Sequence, residues 1–347
     1  VRQSGVGSEE LLVRKVVPFV TVTPVLPTVG RVVPVVVNPA SGPVSADTRQ
    51  RRIEEAMALC GRSACFYQSP EATGWSELIS RALSETGADR VLVCGGDGTV
   101  GAALAATAHS GTPVGIVPGG TGNQLARNLG IPLETGAAVR VALEGRIVPM
   151  DLAVTDRGEW LCQMGGMGLD ARMVADVDSV RKGRWGVAAY VWAVFRHLGP
   201  RRFRVRLRFD RGRVRRRKVS SVLVANAGRL LGGLEPVPGA SPYDGTLHVG
   251  VVKSHTPLQW MRLAAALATG RVASDPAVEF FQAAHVVIET THPEPFEIDG
   301  EALGMRSRVE FTVLPGAARV VVPRKSVSSA ENRVGMPPDA LPRETGP

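Results

Sequence analysis

Two glycine-rich turns constrain the fold of this chain more than any other feature of its sequence. Gly95–Thr99 follows the predicted strand Arg90–Cys94, and Pro118–Asn123 follows the predicted strand Val114–Val117. Each turn precedes a segment with helical character. Strands that alternate with helices form right-handed βαβ units around a parallel sheet. The sequence therefore predicts an α/β domain here, with both turns at the carboxyl ends of strands.

The neighbouring segments extend this alternation. Val32–Val37 is a β-branched run broken only by Pro34, which is typical of a buried parallel strand, and it ends in the loop Asn38–Pro43. Helices are predicted where apolar residues recur every three or four positions. The predicted helices contain Ile53–Cys60, Trp75–Leu83, Val100–Ala108 and Asn123–Leu129.

After Met150 the pattern changes to short apolar segments, several with alternating polarity, which predicts an antiparallel sandwich or barrel. Two helices are predicted in this half, around Tyr190–His197 and Leu258–Ala268. The predicted strands are 151–155, 160–164, 202–209, 213–224, 246–252, 285–289, 296–298 and 309–313. A chain of 347 residues is also long for one domain, so two are expected.

Charge and composition limit the possible partners. The net charge of +9 indicates an anionic partner, whether nucleotide, anionic lipid or nucleic acid, but the 5% aromatic content argues against a binder that stacks bases. The most apolar run, Gly186–Phe195, is shorter than the ~18 residues of a membrane span, and Val1–Glu10 lacks the order of a signal peptide. Membrane contact is therefore expected to be peripheral. The four cysteines have no metal-binding spacing, which favours reduced thiols in a cytosolic protein.

The position of the two glycine turns before helices indicates phosphate binding. The first amides of a helix have no partner within it, and the helix dipole favours negative charge there. Glycine also lets a phosphate approach the backbone. One such turn could be a plain tight connection, but two in succession favour phosphate binding. The sequence has no GxxxxGK[ST] loop and no GxGxxG with a spaced acidic residue, which disfavours a P-loop enzyme and a dinucleotide oxidoreductase.

A series of motifs extends from Arg31 to about Val322. They are Asn38–Gly42, Gly95–Thr99, Gly120–Asn123 with Leu125–Arg127, Lys182–Tyr190, Asn226, Gly232–Gly233, Pro238, Tyr243–Gly245 and Asp299–Glu301. In this order they resemble the diacylglycerol kinase catalytic domain family, which includes bacterial lipid kinases and sphingosine kinases. The resemblance implies transfer of the γ-phosphate of ATP to a lipid hydroxyl, with diacylglycerol, converted to phosphatidic acid, as the first expectation.

The resemblance also implies which residues contact ATP. A polar contact is expected before the helix at Trp75, from either Gln68 or Ser69. One departure is Gln124, because the family usually has an acid at this position. The residues expected to bind ATP are Asn38, Ser69, Gly95, Gly96, Asp97, Gly98, Thr99, Gly120, Thr121, Gly122 and Asn123.

By the same resemblance, Asp299 and Glu301 are the catalytic acidic pair, with Glu301 as the general base for the lipid hydroxyl. Asp-Gly is also a common hairpin pair, so the motif alone would favour a surface turn. Mg²⁺ is the second expected cofactor, since Asp299 or Asp97 can hold it through oxygen or water. The residues expected at a magnesium-linked site are Asp244, Ser241 and Thr246.

The expected architecture is α/β: an N-terminal three-layer α/β nucleotide-binding domain and a C-terminal β-rich domain, an antiparallel sandwich. Residues 1–30 are expected to form an irregular extension, 31–150 the ATP-binding domain, 151–308 the lipid-substrate domain, and 324–347 a disordered tail. The last strands, 309–323, are expected to pack back onto the first domain.

The basic segment Arg201–Lys218 leaves two interpretations open. Phe203–Phe209 alternates apolar residues with arginines, which predicts a strand with one apolar and one cationic face, and Asp210–Gly212 forms a turn. The resulting hairpin either docks on anionic lipid or is an edge kept soluble by its charge. Nucleic acid is disfavoured because the two phenylalanines share the apolar face.

The expected partners are a lipid alcohol and an anionic membrane surface, without nucleic acid. The expected location is cytoplasmic, peripheral to the inner face of the membrane. Two alternatives remain: an NAD kinase, whose fold and glycine turn are related, and a non-catalytic protein that binds nucleotide and membrane. The sequence identifies neither the lipid nor the oligomeric state, and it leaves a homodimer open.

Overall fold

The structure is a computed structural model that describes residues 32–68, 74–168, 202–230 and 233–324. Some predictions concern positions outside these ranges. They are the ATP contact at Ser69, the motif Lys182–Tyr190, the helix around Tyr190–His197, Gly232 and the two terminal segments.

A parallel sheet with helices on both faces forms the N-terminal half. Its strands are β1 (Val32–Val37), β2 (Ser63–Gln68), β3 (Val91–Gly95) and β4 (Pro113–Pro118). Its helices are α1 (Ala46–Leu59), α2 (Trp75–Thr86), α3 (Asp97–Ala106), α4 (Gln124–Asn128) and α5 (Thr135–Glu144). The strand order is β4-β3-β1-β2. Strands β1, β3 and β4 are almost completely buried, as expected when helices cover both faces.

The helices divide between the two faces of this sheet. The connection through α1 runs from β1 outward to β2, whereas the connection through α2 returns from β2 to β3. Right-handed crossovers in opposite directions place α1 and α2 on opposite faces. In agreement, α1 packs against α5, and α2 packs against α3. The half therefore has three layers, as the sequence predicts.

Two packed antiparallel sheets form the C-terminal half. Its elements are β5 (Arg146–Thr155), β6 (Trp160–Leu161), β7 (Met164–Gly168), β8 (Phe203–Phe209), β9 (Arg215–Val219), β10 (Ser221–Ala225), β11 (Leu247–Val252), α6 (Pro257–Ala268), β12 (Val278–Ala283), β13 (His285–Ile298) and β14 (Glu301–Val322). One sheet has the order β12-β11-β10-β7-β13, and the other joins β9, β8, β13, β14, β5 and β6. Strand β13 belongs to both because its first part pairs with β8 and its last part with β7. Apolar side chains from both sheets share one core, which confirms the predicted sandwich.

Strand β14 connects the two halves. Arg319–Val321 pairs in parallel with Pro113–Gly115 of β4, and β5 lies along the other edge of β14. The parallel sheet therefore continues into the sandwich without a break.

The main secondary-structure differences from the sequence prediction lie at irregular or exposed segments. Strand β2 lies at the edge of the sheet and is mostly half-buried, and its sequence lacks the apolar run of its neighbours. Strand β13 is much longer than predicted, because the pairing shifts register between Glu289 and Glu294, around Pro293, and again between Pro295 and Glu297. In the described ranges, no helix is both long and apolar enough to cross a bilayer.

Candidate active site

The loops after β1 and β3 diverge where open α/β sheets bind ligands. β1 and β3 are neighbours, with Val35 opposite Leu92, but the chain leaves them in opposite directions along the sheet. Such a switch point opens a crevice outside the carboxyl ends of the strands. The loop Asn38–Gly42 and the turn Gly95–Thr99 both lie at this point.

Hydrogen bonds join these two segments. Asn38 Nδ2 donates to Thr99 Oγ1 at 3.0 Å, although the residues are 61 positions apart. The Oγ atoms of Ser41 and Thr99 are 3.4 Å apart, and the amide of Gly96 donates to Ser41 Oγ at 3.4 Å. The structure thus brings together two predicted residues and adds Ser41, which belongs to the motif but was not among the predicted contacts.

Glycine is required because the loops after β1, β3 and β4 nearly touch. A Cβ at Gly42 would lie 2.1 Å from the carbonyl oxygen of Gly119, and a Cβ at Gly120 would lie 2.5 Å from Cα of Gly96. Gly42 also has φ of 67°, in the left-handed region. Three backbone segments, Asn38–Gly42, Gly95–Thr99 and Gly119–Asn123, therefore form one continuous surface, here named the glycine wall.

Asn123 closes the second glycine turn on itself. Its Oδ1 accepts from the amide of Gly120 at 2.9 Å, its Nδ2 donates to the Gly120 carbonyl at 2.8 Å, and its φ is 50°. Helix α4 is only five residues long, and the amide of Leu125 donates to Asp97 Oδ1 at 2.9 Å. Asn123 thus shapes the turn. The sequence suggested that the first amides of α4 are free to bind phosphate, but the amide of Leu125 is already hydrogen-bonded to Asp97. Thr121 is exposed beside it.

Asp299 and Gly300 form the turn between β13 and β14. Their φ values of 50° and 86° are those of a two-residue type I′ hairpin, and the buried Glu297 accepts from the Gly300 amide at 3.0 Å. The Asp299 carboxylate accepts backbone amides from Cys162, Gln163 and Met164 at 2.8, 2.8 and 3.0 Å. The motif is therefore both a hairpin turn and a carboxylate that holds another segment in place.

The Asp299 carboxyl has an unusual environment. Burial raises its pKa, the three amides lower it, and the nearby Asp97 carboxylate raises it, with a result of about 6. A charge effect between Asp97 and Asp299 means that the glycine wall lies close to the acidic turn. We name Asp299–Glu301 together with Cys162–Met164 the acidic wall.

Gln163 links the two walls and was not predicted. Its backbone amide binds Asp299, and its Nε2 lies 3.4 Å from Asp97 Oδ1. The side chain is buried, yet its Oε1 has no hydrogen-bond partner within the described ranges. A buried amide oxygen without a donor is costly, so this atom is suited to a ligand donor or cation. No local signature identifies such a residue, because its partners are 66 and 136 positions away.

Asn226, one of the motif residues, supports the acidic wall from behind. Its side chain is fully buried, and its Nδ2 donates to the carbonyls of Asp151 and Cys162 at 2.8 and 2.9 Å. Its backbone amide donates to the Gln163 carbonyl at 2.7 Å. Asn226 therefore fixes the strand segment whose amides bind Asp299.

Glu301 differs from Asp299 in its surroundings. It begins β14, its side chain is exposed, and no hydrogen bond or ion pair within the described ranges occupies its carboxylate. A free carboxylate beside the acidic turn can accept a proton, whereas the Asp299 oxygens already accept hydrogen bonds from amides.

The predicted magnesium-linked residues form a separate loop. Asp244 Oδ1 accepts from the amide and hydroxyl of Thr246 at 2.9 and 3.0 Å, and Oδ2 lies 2.8 Å from His248 Nε2. Burial raises the pKa of Asp244, but the hydrogen bonds from His248 and Thr246 outweigh it and lower the pKa overall. Ser241 lies in the same loop, and no hydrogen bond or ion pair joins Asp244 to the acidic wall in the described part of the chain. Among the described residues, no three acidic, histidine or cysteine side chains converge as a metal centre.

Comparisons with known proteins agree with this organisation. The model of the diacylglycerol kinase catalytic domain matches residues 32–155, and that of the YegS C-terminal NAD kinase beta sandwich-like domain matches residues 164–322. Together they span most of the chain.

Several relatives are similar over most of the same region. A probable lipid kinase YegS-like protein of Chromohalobacter salexigens is 29% identical, over 72% of this chain and 80% of that protein. A diacylglycerol kinase of Mycobacterium tuberculosis is 29% identical, over 71% of this chain and 81% of that protein. An uncharacterized Synechocystis protein is 28% identical over 67% of this chain, but the match spans only 54% of that protein.

Solved structures share the fold. A Bacillus anthracis protein superimposes with a TM-score of 0.70 at 23% identity, over 84% of this chain and 97% of that one. A diacylglycerol kinase of the same organism gives a TM-score of 0.63 at 20% identity, with the same coverage. At these identities the likeness shows the fold alone.

Proposed function

We propose that this chain, which belongs to the diacylglycerol kinase catalytic domain family, is a lipid kinase that transfers the γ-phosphate of ATP to a lipid hydroxyl. The observation that supports this most is the approach of the two walls. Asp97 of the glycine wall lies beside Gln163 and Asp299 of the acidic wall. A phosphate donor bound on the first wall would therefore lie next to the carboxylates of the second.

The glycine wall would bind the phosphates of ATP. Helix α3 is ten residues long, and its N-cap Gly96 has no side chain to occupy the amides of the first turn. These amides and the helix dipole favour an anion at this end. The exposed Gly98 leaves space, since a Cβ there would contact nothing within 4 Å.

The acidic wall would bind and activate the acceptor. A lipid hydroxyl has a high pKa, so its proton must pass to a base as transfer proceeds. Glu301 has the free carboxylate for this role. Asp299 acts differently, because its carboxylate orients Cys162–Met164 through their amides and thereby positions Gln163.

Mg²⁺ fits the donors at the junction of the walls, which are hard oxygen ligands: the carboxylates of Asp97 and Asp299 and the free Oε1 of Gln163. When bound, the ion supplies charge neutralisation at the phosphate oxygens. At the Asp244 loop, both carboxylate oxygens already have partners, Oδ1 in Thr246 and Oδ2 in His248, so a cation bound there would share Oδ2 with His248 or displace it.

Diacylglycerol is the acceptor that we expect first. Relatives from Mycobacterium tuberculosis and Bacillus subtilis, at 29% and 24% identity, are named diacylglycerol kinase, whereas others are named only as lipid kinases. The family thus supports a lipid alcohol as the substrate class, and assay decides which one.

Radiolabelled ATP and Mg²⁺ with lipid alcohols in neutral mixed micelles would test this function. Diacylglycerol, monoacylglycerol, a sphingoid base, a polyprenol and, in a separate reaction, NAD are the acceptors, with Glu301→Gln as the matched control. We expect labelled phosphatidic acid from the wild type and little from the variant. Label on NAD instead of lipid would favour the NAD kinase alternative, and ATP binding without any product would favour a non-catalytic protein.

A further inference from the structure

The hairpin of β8 and β9 presents cations on the side away from the sandwich core. Phe203, Val205 and Leu207 of β8 are buried, whereas the arginines between them are exposed. The register places Lys218 opposite Arg204 and Arg216 opposite Arg206, and residues directly opposite share a face. We name this surface the arginine face. It consists of Arg204, Arg206, Arg208, Arg216 and Lys218.

No acid neutralises this face within the described ranges. By register, Glu289 of β13 lies opposite Arg206, but its ion pair is with Arg308, at 3.6 Å. The next acids along the sheet, Asp156 and Glu310, also pair with Arg308. Like charges opposite one another destabilise a strand pair. Repulsion within the arginine face therefore lowers the stability of the free protein, and no ion pair among the described residues offsets it.

The other side of the same hairpin shows the contrast. Arg217 forms an ion pair with Glu279 at 2.9 Å, and the guanidinium of Arg215 lies 5.1 Å from the centre of the Phe281 ring. Cations on that side have partners inside the protein, whereas the arginine face has none among the described residues. This difference indicates an external anionic partner for the arginine face.

The tip of the hairpin contains a depression whose lining is suited to an anion. An open depression of about 800 Å³ is lined by Arg208, Arg211, Arg213 and His285, with one acid, Asp210. Val214, in the same lining, is 54% exposed. Guanidinium groups around an open space suit a phosphate-bearing headgroup, and an exposed valine suits the apolar region below it.

We propose that the arginine face docks the protein on an anionic phospholipid bilayer. The choice of a bilayer rests on the proposed function, since a kinase for lipid hydroxyls has to work at a lipid surface. Nucleic acid fits less well because the hairpin's aromatic rings point inward: Phe203 is buried, and Phe209 stacks on Phe281 at 4.6 Å. Between residues 203 and 219, no aromatic ring remains on the outer face of the hairpin to stack on bases.

Vesicle sedimentation without ATP tests the docking directly. The full chain is mixed with phosphatidylcholine vesicles, with or without phosphatidylglycerol, at about 0.1 M salt. Replacement of Arg204, Arg206 and Arg208 by Gln is expected to weaken partition onto the anionic vesicles about 100-fold. Replacement of the same three by Lys is expected to preserve it. Wild-type binding is expected to weaken at higher salt and on neutral vesicles.

A matched control removes the same charge from scattered positions. Arg157, Arg271 and Arg319 are exposed, lie on separate elements and form no ion pair in the ranges described. Their triple replacement by Gln is expected to change partition by less than about threefold, because local charge near the membrane dominates. Equal loss in both Gln triples would overturn the proposal, and so would unchanged binding in the arginine-face triple. Tighter binding of the wild type to duplex DNA than to anionic vesicles would also overturn it.

The kinase assay separates this proposal from the proposed function. The arginine-face triple is expected to phosphorylate lipid in neutral micelles at the wild-type rate while losing activity on anionic vesicles. If no variant phosphorylates any lipid but vesicle binding still depends on the three arginines, the docking stands and the lipid-kinase function fails. If micellar activity falls while vesicle binding is retained, the arginine face is not a docking surface. Melting temperatures, compared with the Lys triple, identify any loss of folding.

Discussion

The glycine wall and the acidic wall are held in place by different physical means. In the glycine wall, backbone lies against backbone, so a side chain at Gly42 or Gly120 would overlap its neighbour at 2.1 or 2.5 Å. In the acidic wall, a single carboxylate holds three amides at 2.8–3.0 Å. The first wall depends on glycines, whose lack of a side chain lets the loops approach, and the second depends on the side chain of Asp299. Addition of a methyl group to a glycine should therefore disrupt the glycine wall, whereas removal of the Asp299 carboxylate should disrupt the acidic wall.

The largest effect is expected from Glu301→Gln, which separates the chemistry of the acidic wall from its architecture. Loss of the proton acceptor is expected to lower kcat by about 10²–10⁴-fold. Because Glu301 is exposed and without a partner in the described residues, stability should stay within about 0.5 kcal/mol. Turnover on micellar diacylglycerol and urea unfolding measure the two. A variant with wild-type kcat would remove Glu301 from catalysis.

Removal of the acceptor itself, Asp299→Ala, tests how the acidic wall is built. Cys162, Gln163 and Met164 are buried, so their amides would lose their acceptor inside the protein. We expect a loss of about 3 kcal/mol in the free energy of unfolding. Glu301→Ala, two residues away, is the control and should cost little. Equal stability of the two variants in urea would contradict the assigned role of Asp299.

The opposite change tests the glycine wall. Gly120→Ala would place Cβ against the backbone of Gly96, and we expect a loss of about 2 kcal/mol as the loops separate. Gly98→Ala is the matched control, because its Cβ would meet nothing within 4 Å inside helix α3. There, alanine should stabilise by about 0.5–1 kcal/mol. Thermal unfolding of both distinguishes a steric requirement from a general preference for glycine, since losses of the same size would argue against the close approach.

The last prediction concerns the pH dependence of stability. The pKa of Asp299 is raised to about 6 in the folded protein, so the folded state keeps a proton that the unfolded state loses near its ordinary pKa of 3.8. This proton contributes stability that is fully present below about pH 4 and is lost as pH rises through about 6. The wild type should therefore lose more stability than Asp299→Asn between about pH 4 and 7. Parallel pH profiles in urea unfolding would show that Asp299 titrates normally.

The sequence predicts the glycine wall better than the acidic wall, because the two walls are held in place by different kinds of contact. The glycine wall depends on short-range turn chemistry, so Gly95–Thr99 and Gly120–Asn123 identify it locally, as does the strand before each turn. The acidic wall depends on contacts across the chain. Gln163 is an ordinary residue in the short link between β6 and β7, and only the fold brings its side chain to Asp97, 66 positions away.

Some features had two correct interpretations or misleading local signals. Asp299–Gly300 is a type I′ turn, as its residues suggest, and the half-buried Asp299 carboxylate is also a hydrogen-bond acceptor for another segment, which no local pattern shows. The sequence predicts separate strands at 285–289 and 296–298, but shifts in pairing between Glu289 and Glu294 and after Pro295 join them as the single strand β13. The roles of Asp244 and the ATP contacts stay predictions.

The central claim is that both walls face one ligand, and the charge interaction between Asp97 and Asp299 tests it most directly. The pKa of the Asp299 carboxyl can be followed by carbon NMR in the wild type and in Asp97→Asn. We expect a pKa of about 6 in the wild type and a lower value in the variant, because the opposing carboxylate is gone. An unchanged pKa would mean that the walls are too far apart to share a ligand, and would contradict the account.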